Sequence, residues 1–215
     1  MHYALHILSP VSAPWVAWVM LFLLLCAVVA EMVQPGVVLQ AFSTIFAKVE
    51  RSYGDVQQNL LEELIMNIFR IGTFAMALYL YAYRAGDFRF TTYLLVAALV
   101  LAIDVAKLVA SALVNYTFRI SKRFALISTH YNNLRTVICC GFYVVLLFLL
   151  NIGNTMVTKW ALLALAVVAI VLILIKWIRI FCTNIRSLLY IVLYILTLEV
   201  LPLMVLIMGA GYIVD

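Results

Sequence analysis

Charge is what this sequence has least of. Only 11% of its 215 residues are Asp, Glu, Lys or Arg, against 68% that are hydrophobic. A soluble domain of this length cannot hide so much apolar surface. A bilayer can, and the mean hydropathy of +1.18 makes the chain a polytopic membrane protein. Helix breakers are scarce as well: 8 Gly and 4 Pro leave the long apolar runs nearly uninterrupted. The four cysteines, Cys26, Cys139, Cys140 and Cys182, form no CxxC pair, so neither a zinc site nor a disulfide framework is indicated. Walker loop, Rossmann glycines, HExxH and nucleophile elbow are all missing. With them go the nucleotide, dinucleotide, zinc-hydrolase and serine-hydrolase readings, and no cofactor or metal is implied. A net charge of +5 is not a nucleic-acid signal, because the basic residues sit at the ends of apolar runs.

What is there is a succession of apolar runs. The pattern predicts an all-α protein of six transmembrane helices, over 14–33, 64–83, 90–114, 136–152, 157–176 and 187–208, in one domain. Trp15 and Trp18 stand where the first span meets an interface. The residues before that span carry no Lys or Arg, unlike a secretory leader, so it is expected to be retained. Gln34-Pro35-Gly36 ends it. Over 37–51, Val38, Phe42, Ile45, Phe46 and Val49 share a face opposite Gln40, Ser43, Thr44 and Lys48. That predicts an amphipathic helix lying in the membrane surface; the same pattern also suits a helix packed under its own bundle. The longest polar connection is expected between 115 and 135, with His130 and Arg135 in it. A lone histidine there reads as solvated.

Lys and Arg give the orientation. Lys48, Arg51, Arg119, Lys122, Arg123, Arg135, Lys176, Arg179 and Arg186 fall on one side, and Arg84, Arg89 and Lys159 on the other. The richer side is expected in the cytoplasm, which leaves both termini periplasmic.

The segment Leu193-Tyr194-Ile195-Leu196-Thr197-Leu198-Glu199-Val200-Leu201-Pro202-Leu203 resembles the closing signature of an uncharacterised family of Bacteroidota integral-membrane proteins. Members of that family also tend to carry a lysine in an earlier span, as Lys107 does here. The resemblance implies a small helical protein of the bacterial inner membrane, and it implies no substrate.

Charges inside spans are the candidate sites. Glu199 stands about 18 Å from the cytoplasmic face and Lys107 about 10 Å, on antiparallel spans. Side chains lean toward their helix N-termini, so these two converge. Asp104, one turn from Lys107, completes an expected cluster of Asp104, Lys107 and Glu199. Pro202 strains the carbonyl of Leu198, and Thr197 can bond back to it, so a kink is expected beside Glu199. Glu31 and Arg70 form a second, shallower candidate pair on the cytoplasmic side, with Asn67 one turn away. Such clusters pin helices together or carry protons, and both readings stay open.

The small size and the missing catalytic motifs point to a non-catalytic assembly, scaffold or accessory subunit of the cell envelope. Its expected partners are the lipid bilayer and a second membrane protein or another copy of itself, with no nucleic acid. The alternative is a small proton- or ion-coupled transporter or channel centred on Glu199 and Lys107.

Overall fold

Among the residues that the structure describes, the apolar runs are helical. The computed structural model describes residues 14–46, 60–82, 89–118, 121–152, 155–181 and 201–214. Among these the chain is all-α, with seven helices: α1 (Pro14–Val33), α2 (Val37–Phe46), α3 (Leu60–Ala82), α4 (Phe90–Phe118), α5 (Ser121–Ile152), α6 (Thr155–Phe181) and α7 (Leu201–Val214). Five of them, all but α2 and α7, are long and apolar enough to cross a membrane. The greater part of the expected sixth span, through residue 200, lies outside the described residues. So do residues 47–51 of the expected interfacial helix.

Several helices run past the expected ends of their spans. The stretch expected as a long polar connection is helical on both sides, with α4 running to Phe118 and α5 starting at Ser121. Residues 115–135 contain neither Gly nor Pro. Their polarity marks where the helices leave the apolar layer, and polarity without Gly or Pro does not keep a stretch from being helical. The membrane-length apolar part of α5 begins only at Tyr131. Likewise α7 does not end at 208 but continues to Val214.

The bundle is built around α3. Of its apolar stretch 61% is buried, against 11% for α6 and 17% for α4. Between Gly72 and Leu80 only Phe74 is more than marginally exposed. A helix buried nearly all round must be touched on all sides, and α3 meets α1, α4, α5, α6 and α7. Lipid-facing Leu, Val and Ile on α4 and α6 are therefore no anomaly, because hydrocarbon solvates them as well as protein does. Helix α2 folds back to pack against α5 and touches α1. Its buried residue is Ala41, while Leu39 and Phe42 of α2 remain exposed.

Small residues and tyrosine hydroxyls hold the helices together. Tyr143 of α5 donates to the Met20 carbonyl of α1 at 2.9 Å, and Tyr93 of α4 to the Gly72 carbonyl of α3 at 3.4 Å. In a bilayer such bonds replace the hydrophobic drive that joins helices in water. At the end where α1 and α4 begin, Trp15 contacts Tyr79, Phe90 and Tyr93 with ring centroids 5.6–6.0 Å apart.

Gly72 marks the closest approach of α1. A Cβ there would collide with the Leu23 side chain, which is itself 2% exposed and has nowhere to go. Gly72→Val is therefore expected to cost about 1–3 kcal/mol through overpacking. Gly141 has open space around its Cβ position, so Gly141→Ala should gain up to about 1 kcal/mol from helix propensity. Thermal unfolding of both variants in one detergent checks the pair; equal effects would mean that the α1–α3 contact is loose.

Candidate functional site

Most charged side chains of the described helices gather at one end of the bundle, where α3 and α5 begin and α1 and α4 end. Arg70 is the deepest of these charges. It lies nine residues past Leu61, the start of the apolar stretch, which is about 14 Å along α3. Its residue is only 3% exposed. A guanidinium so placed must spend its N–H groups on protein. Nε donates to the Met66 carbonyl at 3.3 Å, Nη1 to the Asn132 carbonyl at 3.1 Å and Nη2 to Asn67 Oδ1 at 2.6 Å. Asn67 is three residues back on the same helix, the spacing that sets two side chains on one face.

Asn132 of α5 is the junction of this network. Its carbonyl takes the Arg70 bond and also one from Thr136 Oγ1 at 3.0 Å. Its side-chain amide donates to Glu63 Oε1 at 3.1 Å. One asparagine thus relays between a carboxylate and a guanidinium that both belong to α3. Cys139, one turn beyond Thr136 on α5, places its thiol 3.8 Å from the Arg70 carbonyl.

The second half is an ion pair. Arg135 Nη2 of α5 lies 2.8 and 2.7 Å from the two carboxylate oxygens of Asp104 on α4. The side chains are 26% and 19% exposed, respectively. The guanidinium carbon also stands 5.9 Å from the ring centroid of Tyr131, four residues back, a cation–π distance. Arg70 and Arg135 are close enough to repel one another, and Glu63 and Asp104 close enough to offset this. Arg70 and Arg135 thus stand with Glu63 and Asp104 across α3, α4 and α5, with Glu62 beside Glu63 and Lys107 one turn from Asp104.

This arrangement changes the sequence reading. Asp104 pairs with Arg135, which was expected in a polar connection and instead lies on a helix. Lys107 is one turn further along α4 and partly buried. Glu199 and Thr197 lie outside the described residues, and Pro202 is the second residue of α7. The expected Glu31–Arg70 pair gives way to two separate arrangements. Glu31 accepts from the backbone N–H of Gly36 at 2.6 Å and of Val38 at 3.2 Å. Gly36 turns the chain with φ +89°, a conformation glycine adopts freely, and so brings the start of α2 back over the end of α1. The unspent N–H groups of a helix start are strong acceptor-seekers, and a carboxylate five residues away reaches them first. Among the described residues no group of His, Cys, Asp and Glu could hold a metal ion.

Glu31→Ala removes this cap. The expected cost is about 1–2 kcal/mol, with faster hydrogen exchange confined to the start of α2. Unchanged exchange at Gly36 and Val38 would show that the carboxylate does not hold the turn.

Five membrane-length apolar helices with a network of charged and polar side chains at one end of the bundle define a polytopic helical membrane protein. Within that class the chain belongs to the family of the domain of unknown function DUF4271, whose model matches residues 16–210. Neither a curated protein nor a solved structure matches it.

Proposed function

We propose that this protein is a non-catalytic integral-membrane subunit, an assembly, scaffold or accessory protein of the bacterial cell envelope. In this reading it sits in the cytoplasmic membrane with both termini periplasmic. One observation carries it. Asp104 and Arg135 are spent on each other, and Arg70 on Asn67 and two backbone carbonyls, tying α3, α4 and α5 into one body. A transport site keeps its charges available to an ion or substrate; a network that satisfies itself serves as a fixed internal brace. The broad apolar flanks of α4 and α6 then offer the surfaces that a membrane partner needs.

Purification of the full chain from its native membrane in mild detergent is expected to bring down a stoichiometric membrane protein. A monodisperse monomer under several conditions would sink the reading. So would proton or ion flux into sealed vesicles that depends on Glu199 or Lys107, which would instead establish a transporter. The orientation has its own check. A reporter active only in the periplasm should work when fused after Asp215 and stay silent after Lys122; the reverse pattern overturns it.

A further inference from the structure

We infer that the end of the bundle opposite the charge network binds one anionic phospholipid, with its acyl chain in an aromatic groove and its phosphate on Arg89. The groove has a volume of about 340 Å³ and is lined by Trp15, Trp18, Val19, Phe22 and Phe90. That is within the usual size of ligand clefts, about 300–1,000 Å³. Four of the five residues recur at the i, i+3, i+4, i+7 spacing of one helix face, so the groove follows α1 for about 10 Å. Trp15 is its fixed wall, held by the rings of Tyr79, Phe90 and Tyr93. Trp18 at 70% and Phe22 at 54% exposure stand open on the side where lipid lies.

The occupant follows from what the groove offers and what stands beside it. Every lining side chain is apolar or aromatic, so a peptide would find no partner there for its backbone. A hydrocarbon chain needs none. The residue directly before Phe90 is Arg89, which is exposed at the start of α4; its carbonyl accepts from the Tyr93 N–H at 3.3 Å. Its own backbone N–H is held by Tyr79 Oη at 3.1 Å, so the mouth of the groove and the aromatic cluster share one anchor. Among the described residues the Arg89 guanidinium has no carboxylate partner. A basic side chain at headgroup level above an apolar groove selects a lipid with an acidic headgroup.

The test uses the full chain with Trp160→Phe and Trp177→Phe, which leaves Trp15 and Trp18 as the only tryptophans. The protein is placed in phosphatidylcholine vesicles carrying increasing fractions of phosphatidylglycerol brominated on its acyl chains, or of phosphatidylcholine brominated in the same way. Half-maximal quenching of tryptophan fluorescence is expected at about a five-fold lower fraction of the anionic lipid, the effect of one basic residue at an acidic surface. Arg89→Gln should abolish that preference while both lipids still quench. Identical curves for the two lipids, or a preference that survives Arg89→Gln, would overturn the assignment. Fluorescence insensitive to either lipid would also overturn it, because the groove would then be covered by protein.

Discussion

Arg70→Ala is expected to be the most damaging single change in the described part of the protein, at about 3–5 kcal/mol. Two losses add. A long side chain that is 3% exposed leaves a cavity inside the bundle, and α3 loses the Arg70 bond to the Asn132 carbonyl of α5, keeping at Asn132 only that of Glu63 to the side-chain amide. Arg70→Met separates the two. Methionine refills most of the volume without donors, so the remaining cost of about 1–2 kcal/mol measures the hydrogen bonds to charge. Thermal unfolding in detergent reads both variants. Cys139 supplies a local readout, since its thiol is buried against the Arg70 carbonyl at 3.8 Å. With the other cysteines replaced by alanine, its reaction with a small thiol reagent should quicken in Arg70→Ala. If Arg70→Met is fully stable, the residue acts by packing alone and the network is not what joins α3 to α5.

Asp104→Asn is expected to cost about 2–3 kcal/mol, below the value for a fully sealed ion pair because 19% of the aspartate and 26% of Arg135 are exposed. The two single changes should not be equal. Asp104→Asn leaves Arg135 unmatched and near Arg70, and an arginine cannot shed its proton. Arg135→Gln leaves a carboxylate that still has the Lys107 cation one turn along α4, so it should be the milder change. The double variant should recover at least about 1 kcal/mol of the summed losses. Arg135→Lys keeps the charge but not the planar donor array, and should restore stability only in part. Strictly additive losses would mean that Asp104 and Arg135 do not meet in the membrane.

The elements were far more legible than their contacts. The spans over 14–33 and 90–114 appear as α1 and the greater part of α4, and that over 157–176 lies inside α6. Hydropathy reports where a chain enters an apolar medium, so the apolar runs coincide with the membrane-length parts of α1, α3, α4 and α6, and with most of that of α5. It says nothing about where a helix ends in water, and the start of α5, fifteen residues before the expected position, went unseen for that reason. Arg135 was misplaced with it. Its depth could have been suspected from Tyr131 and Thr136, at spacings that put an aromatic face and a hydroxyl beside it on a helix.

The charged pairs were the least legible feature. Asp104 and Arg70 stand inside apolar runs, and that alone marks them as costly residues needing partners. Which partner each takes depends on the rotation and order of the helices. Those are set by contacts such as Gly72 on Leu23 and Tyr143 on the Met20 carbonyl, between residues far apart in the chain. Glu31 shows the opposite case. Its partners lie five and seven residues away, yet they became available only because Gly36 turned α2 back over α1.

By itself, then, the sequence determined that this chain is helical and belongs in a membrane. Apolar runs of this length have no other solvent, and within it only a helix satisfies its own backbone. Only the tertiary structure decided that α3 is the central helix, that Arg70 shares the Asn132 carbonyl with Thr136, and that Asp104 meets Arg135. Helix formation is driven by bonds four residues apart, which any local stretch encodes. Pairing between helices is driven by the fit of side chains on separate runs, which exists only once the runs have packed.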